Sequence, residues 1–348
     1  MTRIHATRGS DETSAVVAAA QAGDEAAFTT LVERHRRELH VHCYRMLGSY
    51  EDSEDQVQET FLRAWRRRET YQGRSTFRAW LYRIATNACL DALERRPRKP
   101  AEPRVVGTPS GSRGTPPSEI TWLQPFPDRL LDDIPAAEEE PDAAIVAKET
   151  IELAFLVAVQ HLPPRSRAVL ILRDILGWSA KETAELLDTS VASANSALQR
   201  ARIALKKHLP ERRLEWAPGA DASAQERALV ARYIEASDQG DAQALAAMLS
   251  EDAVFTMPPE PERYVGRDTI VGGWVEGGFG ADEFGQMRCV ATAANRQPAV
   301  ACYVRKPGDD EFRALAIDVL RIEDGAIAEI VMFPSDVFPA FDLPPTLS

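Results

Sequence analysis

Cysteine is scarce in this chain: Cys43, Cys89, Cys289 and Cys302 are the only four among 348 residues, and no two stand in a Cys-x-x-Cys spacing. A disulfide framework or zinc ribbon is thereby excluded as the organising device, and reduced, buried thiols are expected. Long apolar runs are also missing. No stretch approaches the ~18 apolar residues of a membrane span, and residues 1–24 lack the compact apolar segment of a signal peptide. A cytoplasmic protein without a membrane partner is expected. Histidine stops at His208, which leaves the C-terminal third without an imidazole for acid–base work. His40, His42 and Cys43 lie close together, and positions 40 and 43 share a helix face, but no fourth donor is near and no metal is expected there.

Charge, by contrast, is plentiful and uneven. The formal total of -12 resolves into +3 for residues 1–100, -6 for 101–144, +3 for 145–216 and -12 for 217–348. Two mildly basic modules are therefore split by an acidic linker and followed by a strongly acidic third module. The global balance says little about the partners of the first two. The length allows two or three domains, and an apolar content of 44% is ordinary for chains that build cores.

Residues 97–144 hold ten of the 23 prolines. Proline at that density interrupts helices and sheet ladders, so the segment reads as a linker. One island within it, Ile120, Trp122, Leu123, Phe126, Leu130 and Leu131, is too apolar for a passive tether and is expected to dock. The flanking pattern is helical, with apolar residues at three- and four-residue spacing over 24–47, 53–68, 76–95 and again within 145–209. In the 76–95 helix the stripe is Phe77, Trp80, Leu81, Ile84, Ala85 and Ala88, which turns Tyr82, Arg83 and Thr86 outward. Beyond Pro218 a helix over 225–238 gives way to period-two alternation at 253–257, 298–305, 314–322 and 326–333. Asp324-Gly325 between the last two signals a tight antiparallel hairpin. This third module is α+β.

Ser179-Ala-Lys-Glu182 is a capping box, so a helix starts at Ser179. It breaks at Asp188-Thr189, and Ser190 caps a second helix that reaches about residue 205. That is helix-turn-helix spacing, in which the second helix enters the major groove. Ser193, Asn195, Ser196, Gln199 and Arg200 are the candidates for base edges, since Asn and Gln pair with adenine and Arg with guanine. Arg202, Lys206 and Lys207 suit phosphates. On spacing alone, an αα-hairpin inside another helical domain competes with this reading.

Leu162-Pro-Pro-Arg-Ser-Arg-Ala-Val-Leu-Ile-Leu-Arg-Asp-Ile-Leu-Gly-Trp-Ser-Ala-Lys-Glu-Thr-Ala-Glu-Leu-Leu187, with Asn195-Ser-Ala-Leu-Gln-Arg-Ala-Arg202, resembles region 4 of the extracytoplasmic-function (group IV) sigma factors of bacterial RNA polymerase. Asp55-Gln-Val-Gln-Glu-Thr-Phe-Leu-Arg-Ala-Trp65 and Phe77-Arg-Ala-Trp-Leu-Tyr-Arg-Ile-Ala-Thr-Asn-Ala-Cys-Leu-Asp91 resemble region 2. Two departures are visible: where many members place basic residues early on the recognition helix, this chain has Asn195 and Ala197, and its long linker carries an aromatic island without counterpart in the shortest members. The resemblance implies that Asp55, Gln58, Glu59, Leu62 and Trp65 dock on core polymerase. It implies also that the downstream (-10) promoter strand is held by Tyr71, Gln72, Arg74 and Ser75 of the loop and by Tyr82, Arg83, Asn87, Asp91, Arg95 and Arg96 of the helix. Capturing unstacked bases calls for such aromatic and amide surfaces beside positive charge. The upstream (-35) element falls to the helix-turn-helix residues.

Residues from about 224 to 339, with Gly266-Arg-Asp-Thr-Ile-Val271 and the closing hairpin, resemble the SnoaL-like cone found at the end of some such factors. The resemblance implies a curved sheet around a pocket, with a small ligand as a candidate occupant. A general base there would have to be a carboxylate such as Asp318, if it is buried and not on a solvent face. The terminal stretch from Phe333 to Pro345 is apolar and stiffened by proline, and either latches onto region 2 or the linker or closes the cone.

The expected fold is multidomain: two all-α domains joined by a Pro-rich linker, then an α+β cone. The expected boundaries are 1–23, 24–96, 97–144, 145–216 and 217–348. The expected function is that of a sigma factor with core RNA polymerase and promoter DNA as partners, no cofactor and no catalytic residue, modulated in cis by its acidic third module. A polymerase-independent helix-turn-helix regulator and a ligand-binding or catalytic cone fused to DNA-binding modules are the alternatives.

Overall fold

The structure, a computed structural model, describes residues 15–73, 76–102, 104–107, 117–132, 151–209 and 224–348. The first helical module contains α1 (15–21), α2 (Glu25–Glu33), α3 (Arg36–Leu47), α4 (Tyr50–Arg66) and α5 (Phe77–Arg95). Asp24, Ser49 and Thr76 each cap a helix by accepting an amide N–H from the first turn, which satisfies donors that the helix itself leaves free. Gly48, at φ 71, ends α3 in the left-handed conformation that favours glycine. Every residue of α3 from Leu39 to Leu47 is buried, so this helix is the rod around which its neighbours pack.

A short helix, α6 (Arg129–Asp132), lies in the linker. The second module follows with α7 (Leu153–Gln160), α8 (Pro164–Leu170), a π-helical turn over Ile171–Ile175, α9 (Ala180–Leu186) and α10 (Val191–His208). Both bonds of the Ser179–Glu182 capping box form, at 2.8 and 3.2 Å, and Ser190 caps α10 through the Ser193 N–H. The helix-turn-helix is therefore present as its residues indicate.

The third module packs α11 (Ala224–Asp238), α12 (Ala242–Ala246) and α13 (Arg267–Glu276) on one sheet. Its strands are β2 (Leu249–Thr256), β3 (Glu262–Val265), β4 (Gln286–Ala294), β5 (Gln297–Arg305), β6 (Phe312–Glu323), β7 (Ala326–Pro334) and β8 (Thr346–Leu347). The hairpin at Asp324-Gly325 joins β6 to β7, with positive φ at both turn residues. One strand departs from expectation. The linker contributes β1 (Arg104–Gly107), which pairs parallel with β3 and gives the order β1-β3-β2-β7-β6-β5-β4, with β8 on the end of β6. An edge strand needs only one ladder partner, so a proline-dense segment tolerates it. Gly107 permits the close approach: a Cβ there would stand 2.4 Å from the Val265 carbonyl oxygen.

The sheet is buried on both faces. Val300, Cys302, Leu320 and Ile330 face the cone's own helices, while Ala299, Ala301, Ile317, Val319 and Val331 face outward into a second core. That core joins Val41 and Tyr44 of α3, the island residues Ile120, Leu123, Phe126 and Leu131, Leu153 and Leu156 of α7, and Val337, Phe338 and Phe341 of the tail. The island thus docks, and the tail packs on the outer face of the sheet and holds the island. Arg129 binds the Ala340 carbonyl at 2.7 Å and pairs with Asp342 at 3.0 Å.

At the centre of the junction stands the β4–β5 turn, Asn295-Arg296, with φ of 57° and 59°. The Asn295 side chain is fully buried. Its Nδ2 donates to the Tyr44 hydroxyl at 2.9 Å and to the Ile151 carbonyl at 2.7 Å, and its Oδ1 accepts from the Phe126 N–H at 2.8 Å. One amide therefore ties the cone to the first module, the linker and the second module. Each buried group left unpaired costs about 1–3 kcal/mol, so Asn295→Ala is expected to lower unfolding free energy by about 3 kcal/mol or more. Denaturant melts of the full chain would read this, and a change below about 1 kcal/mol would remove Asn295 from its central role.

Candidate nucleic-acid interface

Along α10 the side chains divide cleanly. Ala194, Leu198, Ala201 and Leu205 are buried, and Ser193, Asn195, Ser196, Gln199, Arg200, Arg202 and Lys206 are exposed. The exposed set covers one open helix face, with Ile203, 62% exposed, beside it. Arg202 is engaged: it clasps Asp174 with two bonds of 2.8 and 2.6 Å. Its guanidinium braces α10 against the π-helical turn over Ile171–Ile175, where the sequence reading gave it to phosphate.

The α4 face is mixed. Asp55 and Gln58 are exposed, and Leu62, 51% exposed, is an apolar side chain presented to solvent. Trp65 turns inward, packing edge-on against Phe28 with ring centroids 5.0 Å apart, and the Arg68 guanidinium covers its ring at 4.3 Å. Its role is therefore largely core. Glu59 pairs with Arg63 at 2.7 Å, and Arg63 pairs also with Asp91 of α5 at 2.5 Å. Glu59 and Asp91, assigned to different partners on sequence, thus meet at a single guanidinium that fastens α4 to α5.

On α5, Arg83, Asn87, Asp91, Arg95 and Arg96 are exposed. Tyr82 is not. It is 1% exposed, its ring lies 5.7 Å from Trp178 of the second module and 5.0 Å from His42, and Thr86 beside it is likewise buried. The outward placement of both is corrected: Thr86 bonds His42 of α3 at 2.9 Å, and Tyr82 lies between α3 and Trp178 of the second module, so more than one face of the helix is covered. Tyr71 is half-buried against Phe77 and Trp80, Gln72 is exposed, and Arg74 and Ser75 lie outside the described residues. Arg63 of α4 and Arg67 just after it join Trp80, Arg83 and Asn87 in lining a cleft of about 300 Å³. The Trp65-Arg-Arg-Arg68 run was the available signal for Arg67.

The two helical modules share one core, in which Phe28, Leu39 and Leu81 are continuous with Phe155, Val169 and Leu198. At its centre the buried Arg167 donates to the carbonyls of Met46, Gln160 and Leu162 and to Gln160 Oε1, while Gln160 Nε2 donates to the Arg45 carbonyl at 3.2 Å. A guanidinium fits here because helix C-termini present unsatisfied carbonyls and partial negative charge.

Inside the cone Asp318 is buried, which overturns the solvent-face reading. Tyr233 donates to its Oδ2 at 2.9 Å, Oδ1 makes no hydrogen bond, and burial raises its pKa to about 6. In the cone's interior Phe255 is buried, with the half-buried Tyr264 and Trp274 packed against it and Phe279 against Trp274. A cleft of about 530 Å³ opens at its mouth between Asp238, Phe279, Arg305 and Lys306.

The class is that of a modular protein in which two helical modules, one built on a helix-turn-helix and both with exposed polar and cationic faces, carry an α+β cone. Three family models match the chain: Sigma-70 region 2 over residues 31–99, Sigma-70, region 4 over 152–205, and SnoaL-like domain over 230–330. The chain is 40% identical to the ECF RNA polymerase sigma factor SigG of Mycobacterium tuberculosis (strain H37Rv) over 328 residues, covering 92% of this chain and 85% of that one. It is 31% identical to SigW of Bacillus subtilis (strain 168) over 191 residues, 54% of this chain and 91% of that one. The crystal structure of the extracytoplasmic function sigma factor SigJ of Mycobacterium tuberculosis shares the fold, with a TM-score of 0.54 and 24% identity over 91% of this chain and 99% of that one. The chain belongs to the extracytoplasmic-function sigma factors, initiation factors and not enzymes, which bind core RNA polymerase and direct it to promoters. Among the described residues no helix is long and apolar enough to cross a membrane.

Burial of His40 and His42 pulls their pKa values down to about 4 and about 3. The unfolded histidines, at about 6.5, take up protons as pH falls before the native ones do. Stability should therefore be flat in this respect above pH ~7 and fall below about 6.5 by up to about 1.4 kcal/mol per pH unit per histidine. Asp318 acts oppositely between its unfolded and native values, offsetting one histidine there. Denaturant midpoints at successive pH values, with a shallower slope for His42→Gln, would check the account.

Proposed function

We propose that the exposed α10 residues Ser193, Asn195, Ser196, Gln199 and Arg200 read the upstream promoter element, with Lys206 on phosphate and Arg202 as brace. Arg83, Asn87, Arg95 and Arg96, with Tyr71, Gln72, Arg74 and Ser75 of the loop before α5, hold the melted downstream strand. The cleft shared with Arg67 and Trp80 offers an aromatic floor and cationic walls for an unstacked base. Asp55, Gln58 and Leu62 dock on core polymerase. Any small ligand of the cone sits at the polar mouth, since Phe255, Tyr264 and Trp274 pack together in the interior.

The third module regulates in cis by holding the two DNA-reading modules together. The observation that carries this is the single core shared by those modules, with the Asn295 turn pinned against both. Two modules so joined cannot read separate stretches of one promoter, so initiation requires the junction to open. The acidic module does not cover the α10 face by charge: it leaves that face exposed and grips through apolar contacts and a neutral amide.

Two measurements test these assignments on the full chain. Arg83→Ala and Asn87→Ala should each weaken promoter opening by about 1–3 kcal/mol while leaving core polymerase affinity unchanged; equal loss of both would place these residues at the polymerase surface. Tyr44→Phe removes one hydroxyl from the junction and keeps the ring. Transcription with core polymerase should rise with this variant, and unchanged or lower output from folded protein would remove the cis clamp.

A further inference from the structure

Cys289 and Cys302 stand directly opposite each other on β4 and β5, with their sulfurs 3.3 Å apart. Counting outward from the two-residue turn, Ala294 and Gln297 form the hydrogen-bonded pair that closes it, and pairs then alternate. Pro298, which has no N–H to give, falls at the next, non-hydrogen-bonded position, as it must. Cys289 and Cys302 fall at the same type of position. There the strands come closest, at about 4.5 Å between Cα atoms, within the ~4.4–6.8 Å range that a disulfide spans. Consistently, the Cys289 N–H points away from β5 and donates to Asp238 Oδ1 at 2.7 Å.

A proton path leads away from the pair. The Cys289 thiol donates to Cys302 Sγ, and Cys302 lies 3.7 Å from Asp318 Oδ2. Asp238 and Met287, which flank Cys289 through the amide bond and along β4, line the cleft at the cone's mouth. Cys289 is the more exposed of the two thiols, at 8% against 3%.

We propose that Cys289 and Cys302 are a reversible redox pair that closes to a disulfide in the presence of a hydroperoxide. Protons shift along the chain from Cys289 through Cys302 to Asp318. The Cys289 sulfur attacks hydrogen peroxide, an S–O bond forms as the O–O bond breaks, and the released hydroxide takes the proton from Asp318 to leave as water. Cys302 then attacks the sulfenic sulfur. The S–S bond forms, the S–O bond breaks, and the second hydroxide leaves with the Cys302 proton, so two thiols and one peroxide give one disulfide and two waters. The hydrogen bond to Cys289, burial and the Asp318 charge all push the Cys302 thiol well up, so the pair reacts slowly and registers sustained oxidant. Because the same two strands end in the Asn295 turn, the bond stiffens the hairpin that grips both DNA-reading modules. That consequence rests on the cis clamp described above, whereas the chemistry does not.

Full-length protein treated with hydrogen peroxide, acid-quenched, alkylated and mapped by mass spectrometry without reductant should yield a cross-linked pair of peptides containing Cys289 and Cys302. Dithiothreitol should restore both thiols. Asp318→Asn, checked for folding by its melting curve, should slow cross-linking by about a hundredfold, the low end for general-base catalysis. Complete alkylation of both cysteines after oxidation, or conversion to sulfinic acid without a cross-link, overturns the proposal. Transcription by the oxidised protein should fall relative to the reduced form and be insensitive to peroxide in Cys302→Ser. A cross-link that forms without changing transcription leaves the redox pair standing and counts against the clamp.

Discussion

One buried carboxamide organises this molecule. Asn295 sits in a left-handed turn where its backbone and side chain can face three segments at once, and its donors and acceptor are all used by groups from other modules. Around it the contacts are redundant in kind. The Tyr44 hydroxyl donates to the Gln124 carbonyl, Gln124 Oε1 accepts from Ser49 and from the Glu51 N–H, and Gln297 accepts from the Leu153 N–H. Buried polar groups are costly unless satisfied, so the junction is satisfied only when every module is in place. The modules are not independent beads: removing the cone would expose Tyr44, Phe126 and Leu156 to water.

The arrangement makes sense of a sigma factor carrying an acidic extension. The α10 face proposed to read the promoter is open, and so is the Arg83–Asn87 edge of α5, yet their carriers are fused through Arg167, Trp178 and Tyr82. Access of each face to DNA is therefore separate from freedom of the two faces to move apart. The linker reinforces the fusion from both sides, as an edge strand on the cone and as the apolar island beneath it.

Much of this was legible locally. The capping box at Ser179, the Ser190 cap and the alternation in α10 specify the helix-turn-helix from residues a few positions apart, and Asp324-Gly325 specifies its hairpin in the same way. The stripe on α5 was read correctly for Leu81, Ile84 and Ala88 and wrongly for Tyr82 and Thr86, because a helix flanked on more than one side buries more than one stripe. Trp65, which the resemblance puts among the polymerase-docking residues, is half-buried between Phe28 and Arg68, as burial of a large ring favours. Asp318 sits in an apolar run that fits either face of a strand until its partner, Tyr233, is known.

The sequence by itself determined the elements and the modules: caps, turns and periodicity are short-range chemistry, and they act within a few residues wherever the chain goes. Tertiary structure alone decided that Asn295 would meet Tyr44, Phe126 and Ile151, that the linker would become a strand, and that Cys289 would face Cys302. The Asn295 pairings join residues 144 to 251 positions apart, and the burial that makes them favourable exists only once all three modules have closed around them.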